Sequence, residues 1–261
     1  MSRTALYKYP DNQVVADRYG QLVTGRDIKT LNPERWINDV IVNFIFGQKN
    51  GIRTHKNRMF IFNSYFMKKL LIHDRNIVRW FAKSRERENL DNVTRFVFPF
   101  NIDNVHWVLI VVDRKMKVIE VYDSLEQRIN VFNAVNTLKQ ILTQFHWAEQ
   151  HWKVEDKRMF TQPNSYDCGV YMIFTAVCLE SGVSSLLYSR MSSRDLRESI
   201  GSKILYDDFI RREALRQFNI EIEKLAYELY DSLDEDAVLN AYDVYMADED
   251  EDEDSEQKYP D

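Results

Sequence analysis

Apolar positions recur at two different periods along this chain. Trp36, Ile37, Val40, Ile41, Phe44 and Ile45 repeat at three- and four-residue steps, the spacing that lines one buried face of a helix. Asn32-Pro33-Glu34-Arg35 stands ahead of them with a capping Asn, a proline suited to the first helical position and an early acid. The helix is therefore predicted to start there. Shorter apolar runs at 58–62, 95–100, 105–112 and 117–122 read as strands, and 64–72 as a helix. From Gly169 to Leu179 the chain is apolar nearly all round with no turn signal, which suits a buried central helix better than a strand. A last helical pattern, rich in Glu, Arg, Leu and Ala, covers 207–233. Helices before and after a cluster of strands predict an α+β domain.

The 261 residues hold no internal repeat and no Pro/Gly/Ser-rich linker, so one domain over 1–235 is the simplest parse. With 44% apolar and 29% charged residues the chain can bury a substantial core, which excludes wholesale disorder. The seven glycines form neither G-x-G-x-x-G nor G-K-[ST], which removes a dinucleotide fingerprint and a P-loop. The net charge of −6 hides a division: residues 248–261 carry nine acids and one base, leaving +2 for 1–247. The tail, 236–261, is expected to be a solvated, disordered end, with docking of a basic partner as the sharper alternative.

Cys168 and Cys178 are the two cysteines, and no C-x-x-C pair exists, so neither a disulfide framework nor a structural zinc site is expected. Such sparse use suits a reducing compartment. The N-terminus lacks the apolar core of a signal peptide, and no stretch approaches the roughly 20 apolar residues of a membrane span. The chain reads as soluble and intracellular, in nucleus or cytoplasm. The basic stretch 49–58 and the mixed run 83–88 lack regular aromatic interleaving and read as solvated faces, not nucleic-acid sites. His146 and His151 are five apart, not the i, i+4 pair of a zinc protease, while His55 and His73 lie among Lys and Arg; none is assigned chemistry.

Chemistry is suggested at three other places. If Asp113-Arg114-Lys115-Met116 closes a hairpin with Val112 opposite Lys117, His106 lies opposite Asp123. Facing side chains then have Cβ atoms about 4.5–5.5 Å apart, within reach of a hydrogen bond. A structural ion pair produces the same pattern. Cys168 follows the polar turn Asn164-Ser165-Tyr166-Asp167 and opens the apolar helix, where the positive end of the helix dipole favours a thiolate. Gly169 leaves room for something to approach the helix start. Cys178, inside the helix, reads as a small buried hydrophobe. A Cys at a helix start with a His and an Asp placed to pair is the arrangement of nucleophile, base and orienting acid. Gln162, six residues before Cys168, adds an amide donor for a developing oxyanion.

Four ordered blocks carry a resemblance: Trp36-Ile37-Asn38-Asp39, Val105-His106-Trp107, Val121-Tyr122-Asp123-Ser124, and Gln162-Pro163-Asn164-Ser165-Tyr166-Asp167-Cys168-Gly169-Val170-Tyr171. Together they resemble the ubiquitin-like protein-specific protease (Ulp/SENP) family, the SUMO and Nedd-type deconjugases, from about Leu22 to Glu180 and more weakly to about 230. The resemblance implies a papain-like fold with a central mixed or antiparallel sheet and a buried helix starting at Cys168. It implies Cys168 as nucleophile, His106 as general base and acid, Asp123 as the group orienting the imidazole, and Gln162 with the Cys168 N–H as oxyanion hole. It also implies that Trp36 and Trp107 line a narrow channel for a Gly-Gly tail, and that Asp39 pairs with an arginine on SUMO. Read alone, Trp36 would be core and Asp39 a solvated helix acid.

The implied reaction is acyl transfer at a C-terminal glycine, with no metal or organic cofactor and a monomeric enzyme. Asp39 and the short loop between Phe100 and His106 favour SUMO, while Asn164-Ser165-Tyr166-Asp167-Cys168-Gly169 also resembles the Nedd-directed branch; ubiquitin is a third modifier to test. Two other classes compete: a Cys/His/Asp acyltransferase, and a non-catalytic module that binds SUMO conjugates.

Overall fold

Every residue of His106–Asp113 is buried, and elements pack on both of its faces, which is why its sequence is an unbroken apolar run instead of an alternation. The structure, a computed structural model, describes residues 8–51, 59–72, 74, 76–126, 131–144, 152–157, 159–183 and 191–205. All of them belong to the compact unit Met1–Arg211. The helical pattern at 207–233, the domain limit at 235, the acidic tail, and His55, His73, His146 and His151 lie outside the described residues.

The first described element is a hairpin of β1 (Val14–Arg18) and β2 (Gln21–Thr24), closed by Tyr19 and Gly20, both at positive φ. A one-turn helix α1 (Gly25–Ile28) follows, its start fixed by the Thr24–Asp27 capping box. Helix α2 spans Asp39–Gly51, and α3 (Tyr65–Leu71) and α4 (Ile77–Arg87) flank the sheet with α5 (Val131–Gln144). The main sheet is mixed, in the order β3 (Met59–Ile61), β4 (Arg95–Ile102), β5 (His106–Asp113), β6 (Val118–Tyr122), β7 (Lys153–Lys157). Its outer pairs, β3/β4 and β6/β7, are parallel and its inner pairs antiparallel. Helix α6 (Cys168–Ser181) packs on β5, and α7 (Ser193–Leu205) completes the described elements.

One face of the sheet carries an aromatic core: Phe62 stacks on Phe98 at 4.5 Å and on Phe81 at 5.6 Å. Val108, Ile110 and Val112 join this core, whereas Trp107, on the alternate face, meets the start of α6. Residues Cys168–Cys178 are all buried, so α6 is the expected central helix. It ends at Gly182, whose φ of 67° is the left-handed conformation that glycine adopts without strain. The α+β class expected from the sequence is the class found.

Two local expectations are corrected. The first buried helix does not start at Asn32-Pro33-Glu34-Arg35. That segment is a turn, with Glu34 at φ 59°, and α2 begins at Asp39, capped by the Asn38 side chain accepting the Ile41 N–H. The Arg197 guanidinium ties down the carbonyls of Thr30, Asn32 and Arg35, and Asn32 O also accepts the Arg35 N–H at 3.3 Å, the bond of a turn and not of a helical ladder. The second correction is the β5–β6 register, in which Asp113 pairs with Val118 and Leu109 with Tyr122. The turn is Arg114–Lys117, one residue later than expected. Asp113 stays in the strand because its buried carboxylate takes the Arg95 Nε at 2.7 Å and the Met116 N–H at 2.9 Å. Lys117 closes the turn at φ 56°.

Candidate active site

His106 and Asp123 are not cross-strand partners, because β6 has already ended at Tyr122. They meet all the same. His106 opens β5, Asp123 is the first residue beyond β6, and His106 Nε2 lies 2.7 Å from Asp123 Oδ1. The register shift is an even one, so it keeps His106 and Asp123 on the same side as diagonal neighbours. The Leu125 N–H donates to the same carboxylate oxygen at 2.9 Å and fixes its orientation.

The Cys168 thiol is buried at the N-terminus of α6, and the imidazole interacts with it. With Nε2 on the carboxylate, His106 Nδ1 is buried without a hydrogen bond and is the nitrogen left for the sulfur. Burial opposes the imidazolium, but the Asp123 hydrogen bond and the Cys168 interaction outweigh it and push His106 up to about 9. The site therefore favours a protonated imidazole at neutral pH. Cys178 is buried deeper in the same helix, among apolar neighbours.

Gln162 is joined twice to the residue after Asp123. Its backbone N–H donates to Ser124 O at 2.8 Å, and the Ser124 hydroxyl donates to its Oε1 at 2.6 Å. Its Nε2 donates to Asn164 O at 2.5 Å. An amide nitrogen carries two N–H groups, so one remains for another acceptor. The buried carboxamide is thus held from both ends near the loop that delivers Cys168.

Trp36, Trp107 and Asp39 share the lining of one cleft of about 330 Å³. Trp36 precedes α2 instead of lying on its apolar face, is 51% exposed, and donates its indole N–H to Ser165 O at 2.9 Å. Trp107 is buried and donates to Ile37 O at 3.0 Å. A Cβ on Gly169 would sit 2.9 Å from Trp107 Cδ1, so what approaches the helix start at this glycine is the indole. Asp39, the first residue of α2, is hydrogen-bonded by the Tyr65 hydroxyl. That bond, with burial, pushes the phenol up to about 12.

The sequence reading missed the groups that hold the loop before Cys168. Asn164 Oδ1 accepts the N–H groups of Tyr166 and Asp167, each at 3.0 Å, and its Nδ2 donates to Asp167 at 2.7 Å. Asp167 is buried against Arg197 of α7, with Nη2 to Oδ1 at 2.6 Å. The Asn at the turn was a readable signal for the first of these. Arg197 gave none, because it lies in a mixed charged stretch. Among the described residues, no group of three or more His, Cys, Asp or Glu is placed to hold a metal ion, and no helix is long and apolar enough to cross a membrane.

Residues 35–200 match the family model described as the Ulp1 protease family, C-terminal catalytic domain. The chain is 31% identical over 169 residues to ubiquitin-like-specific protease 1 of Saccharomyces cerevisiae, covering 62% of this chain and 26% of that protein. It is 29% identical over 160 residues to human sentrin-specific protease 5, covering 59% of this chain and 20% of the relative. It thus spans about a quarter or less of the length of these relatives. Among solved structures, it resembles the C-terminal Ulp1 protease domain in complex with Smt3, the yeast orthologue of SUMO. The TM-score is 0.69 and the identity 27%, over 78% of this chain and 92% of that one.

Proposed function

The chain belongs to the Ulp1 protease family, and from that premise we propose that it is a cysteine isopeptidase that cleaves after the C-terminal Gly-Gly of a SUMO-like modifier. It would both release modifiers from lysine and trim their precursors. The observation that carries the reading is the His106–Asp123 pair, Nε2 to Oδ1 at 2.7 Å, which leaves a buried, unpaired Nδ1 on the imidazole, together with the buried Cys168 at the start of α6. Two similar proteins support the choice of modifier: sentrin-specific protease 5 among the relatives, and the yeast domain in complex with Smt3.

In this mechanism the Cys168 thiolate attacks the carbonyl carbon of the terminal glycine, and the carbonyl π pair moves onto oxygen. The Cys168 N–H and the remaining N–H of Gln162 stabilise that oxyanion. As the tetrahedral species collapses, the C–N bond breaks and His106 gives its proton to the departing lysine amine. Water, deprotonated by His106, then adds to the thioester, and expulsion of the thiolate frees the modifier's carboxylate. Asp123 keeps the imidazole oriented throughout. Trp36 and Trp107 restrict the cleft to a flat Gly-Gly tail, and Asp39 receives a cationic side chain of the modifier. We place the protein inside the cell, in nucleus or cytoplasm, acting as a monomer without a cofactor.

The test is hydrolysis of isopeptide-linked lysine conjugates of SUMO, a Nedd-type modifier and ubiquitin. Release of SUMO by the parent, and not by Cys168→Ala, is the expected result. Release of only another modifier would keep the mechanism and replace the substrate. Acetyl transfer from acetyl-CoA without modifier cleavage would establish the acyltransferase reading instead. Undiminished biological activity of a SUMO-binding Cys168→Ala variant would establish the binding module.

A further inference from the structure

Arg197 is 1% exposed, and its guanidinium spends its hydrogen bonds on two segments of chain far apart in sequence. On one side it donates to the carbonyls of Thr30, Asn32 and Arg35, at 3.2, 3.1 and 2.7 Å. On the other it donates to Tyr166 O at 3.2 Å and to Asp167 Oδ1 from both Nε, at 2.9 Å, and Nη2, at 2.6 Å. The first segment leads into Trp36, and the second into Cys168. A third tie, Trp36 Nε1 to Ser165 O, joins the same two segments.

We propose that Arg197 is a positioning residue for Cys168: it clamps the loop before the thiol to the Trp36 wall of the cleft and neutralises the carboxylate next to the thiolate. Arginine suits both tasks, because five donors in a rigid fork serve several carbonyls while the charge serves the carboxylate. Asp167 stands immediately before Cys168, and a buried carboxylate there would oppose thiolate formation if left unpaired. Among the described residues, His106 is the titratable group whose protonation the thiol affects, Asp123 stands behind it, and the Tyr171 phenol, near Asp167, is held up at about 12 by burial and that carboxylate and so stays neutral. Arg197 is the cation that faces Asp167.

This inference rests on Cys168 being the nucleophile, so its first readout needs no modifier. Alkylation of Cys168 by iodoacetamide, located by peptide mass, is followed from pH 5 to 10 in the parent, in Arg197→Gln and in Arg197→Gln/Asp167→Asn. In Arg197→Gln the profile moves up by about one pH unit or more, with a roughly tenfold loss of rate at pH 6. In the double variant the stray charge is gone and the profile returns to that of the parent. Turnover of a SUMO C-terminal fluorogenic amide by the double variant still falls at least about tenfold in kcat, since the fork on the carbonyls is missing. A merely structural role would lower the melting temperature of both variants and leave profile and kcat per folded molecule unchanged; that result overturns the proposal. Should Arg197→Gln fail to fold, parent-like kcat in the double variant overturns it as well. An ordinary-thiol profile in the parent overturns the nucleophile reading, and this inference with it.

Discussion

The carboxylate of Asp123 meets the imidazole of His106 at 2.7 Å from just beyond the end of β6, where the Leu125 N–H holds it in place. The pair is therefore anchored by the sheet on one side and by a tight loop on the other. Because both groups are mostly buried, neither solvent nor side-chain motion competes strongly for the bond.

That bond has a pH signature. His106 is pushed from 6.5 up to about 9, so the folded state binds its proton more tightly than the unfolded chain does. A raised pKa contributes stability that is full below about 6.5 and is lost as pH rises through about 9. The melting temperature of the parent should exceed that of His106→Gln most at pH 6, and the gap should narrow by pH 10. A gap that stays constant over this range contradicts the assignment. On the activity side, kcat should fall above about pH 9, where the proton for the departing amine is gone.

The thiol should reveal the same pairing. Cys168 is expected to react with iodoacetamide at pH 6 far faster than an ordinary thiol, and His106→Ala to abolish the advantage. Equal rates in the two proteins would separate the imidazole from the thiol functionally. For turnover, loss of His106 should cost about 100-fold or more in kcat.

Gln162 offers a test of the oxyanion role. Gln162→Ala should lower kcat by about 100-fold with little change in KM, because its free N–H is needed only as charge builds on oxygen. Ser124→Ala, which releases Oε1 of the amide, should lower kcat less. An effect on KM alone would assign Gln162 to substrate binding.

Gly169 is predicted to tolerate no side chain. Gly169→Ala would place a methyl 2.9 Å from Trp107, an indole that its bond to Ile37 O keeps from moving aside. Overpacking of this kind costs about 1–3 kcal/mol, readable in denaturant unfolding. A variant as stable as the parent would show that Trp107 is less fixed than its hydrogen bond implies.

Much of this was legible in the residues because it depends on periodicity and on local order along the chain. The apolar run after Cys168 announced α6, and the four motif blocks marked the two tryptophans, His106, Asp123 and Gln162. What was not legible depends on partners distant in sequence. Asn32-Pro33-Glu34-Arg35 has the local grammar of a helix start, yet it is a turn, with Glu34 at φ 59° and its carbonyls tied to a guanidinium more than 160 residues away. The sequence places the hairpin turn one residue early, because nothing local shows that Asp113 is held in the strand by Arg95. Arg197 itself was invisible, since burial of an arginine is decided by the carbonyls and the carboxylate it finds. The apolar positions of α4 and α7 are sparse among charges, which hides those helices. In contrast, α5, with Val131, Val135, Leu138 and Leu142 at helical spacing, and the β1–β2 hairpin, with Tyr19-Gly20 between two apolar runs, carry a local signal that the sequence reading missed.

The most direct measurement is intact-mass analysis after exposure to SUMO, Nedd-type and ubiquitin probes, each bearing a thiol-reactive group at the C-terminus. The account predicts one adduct with the SUMO probe in the parent, located at Cys168, and none in Cys168→Ala. An adduct that persists in Cys168→Ala, or no adduct with any of the three probes, would contradict it.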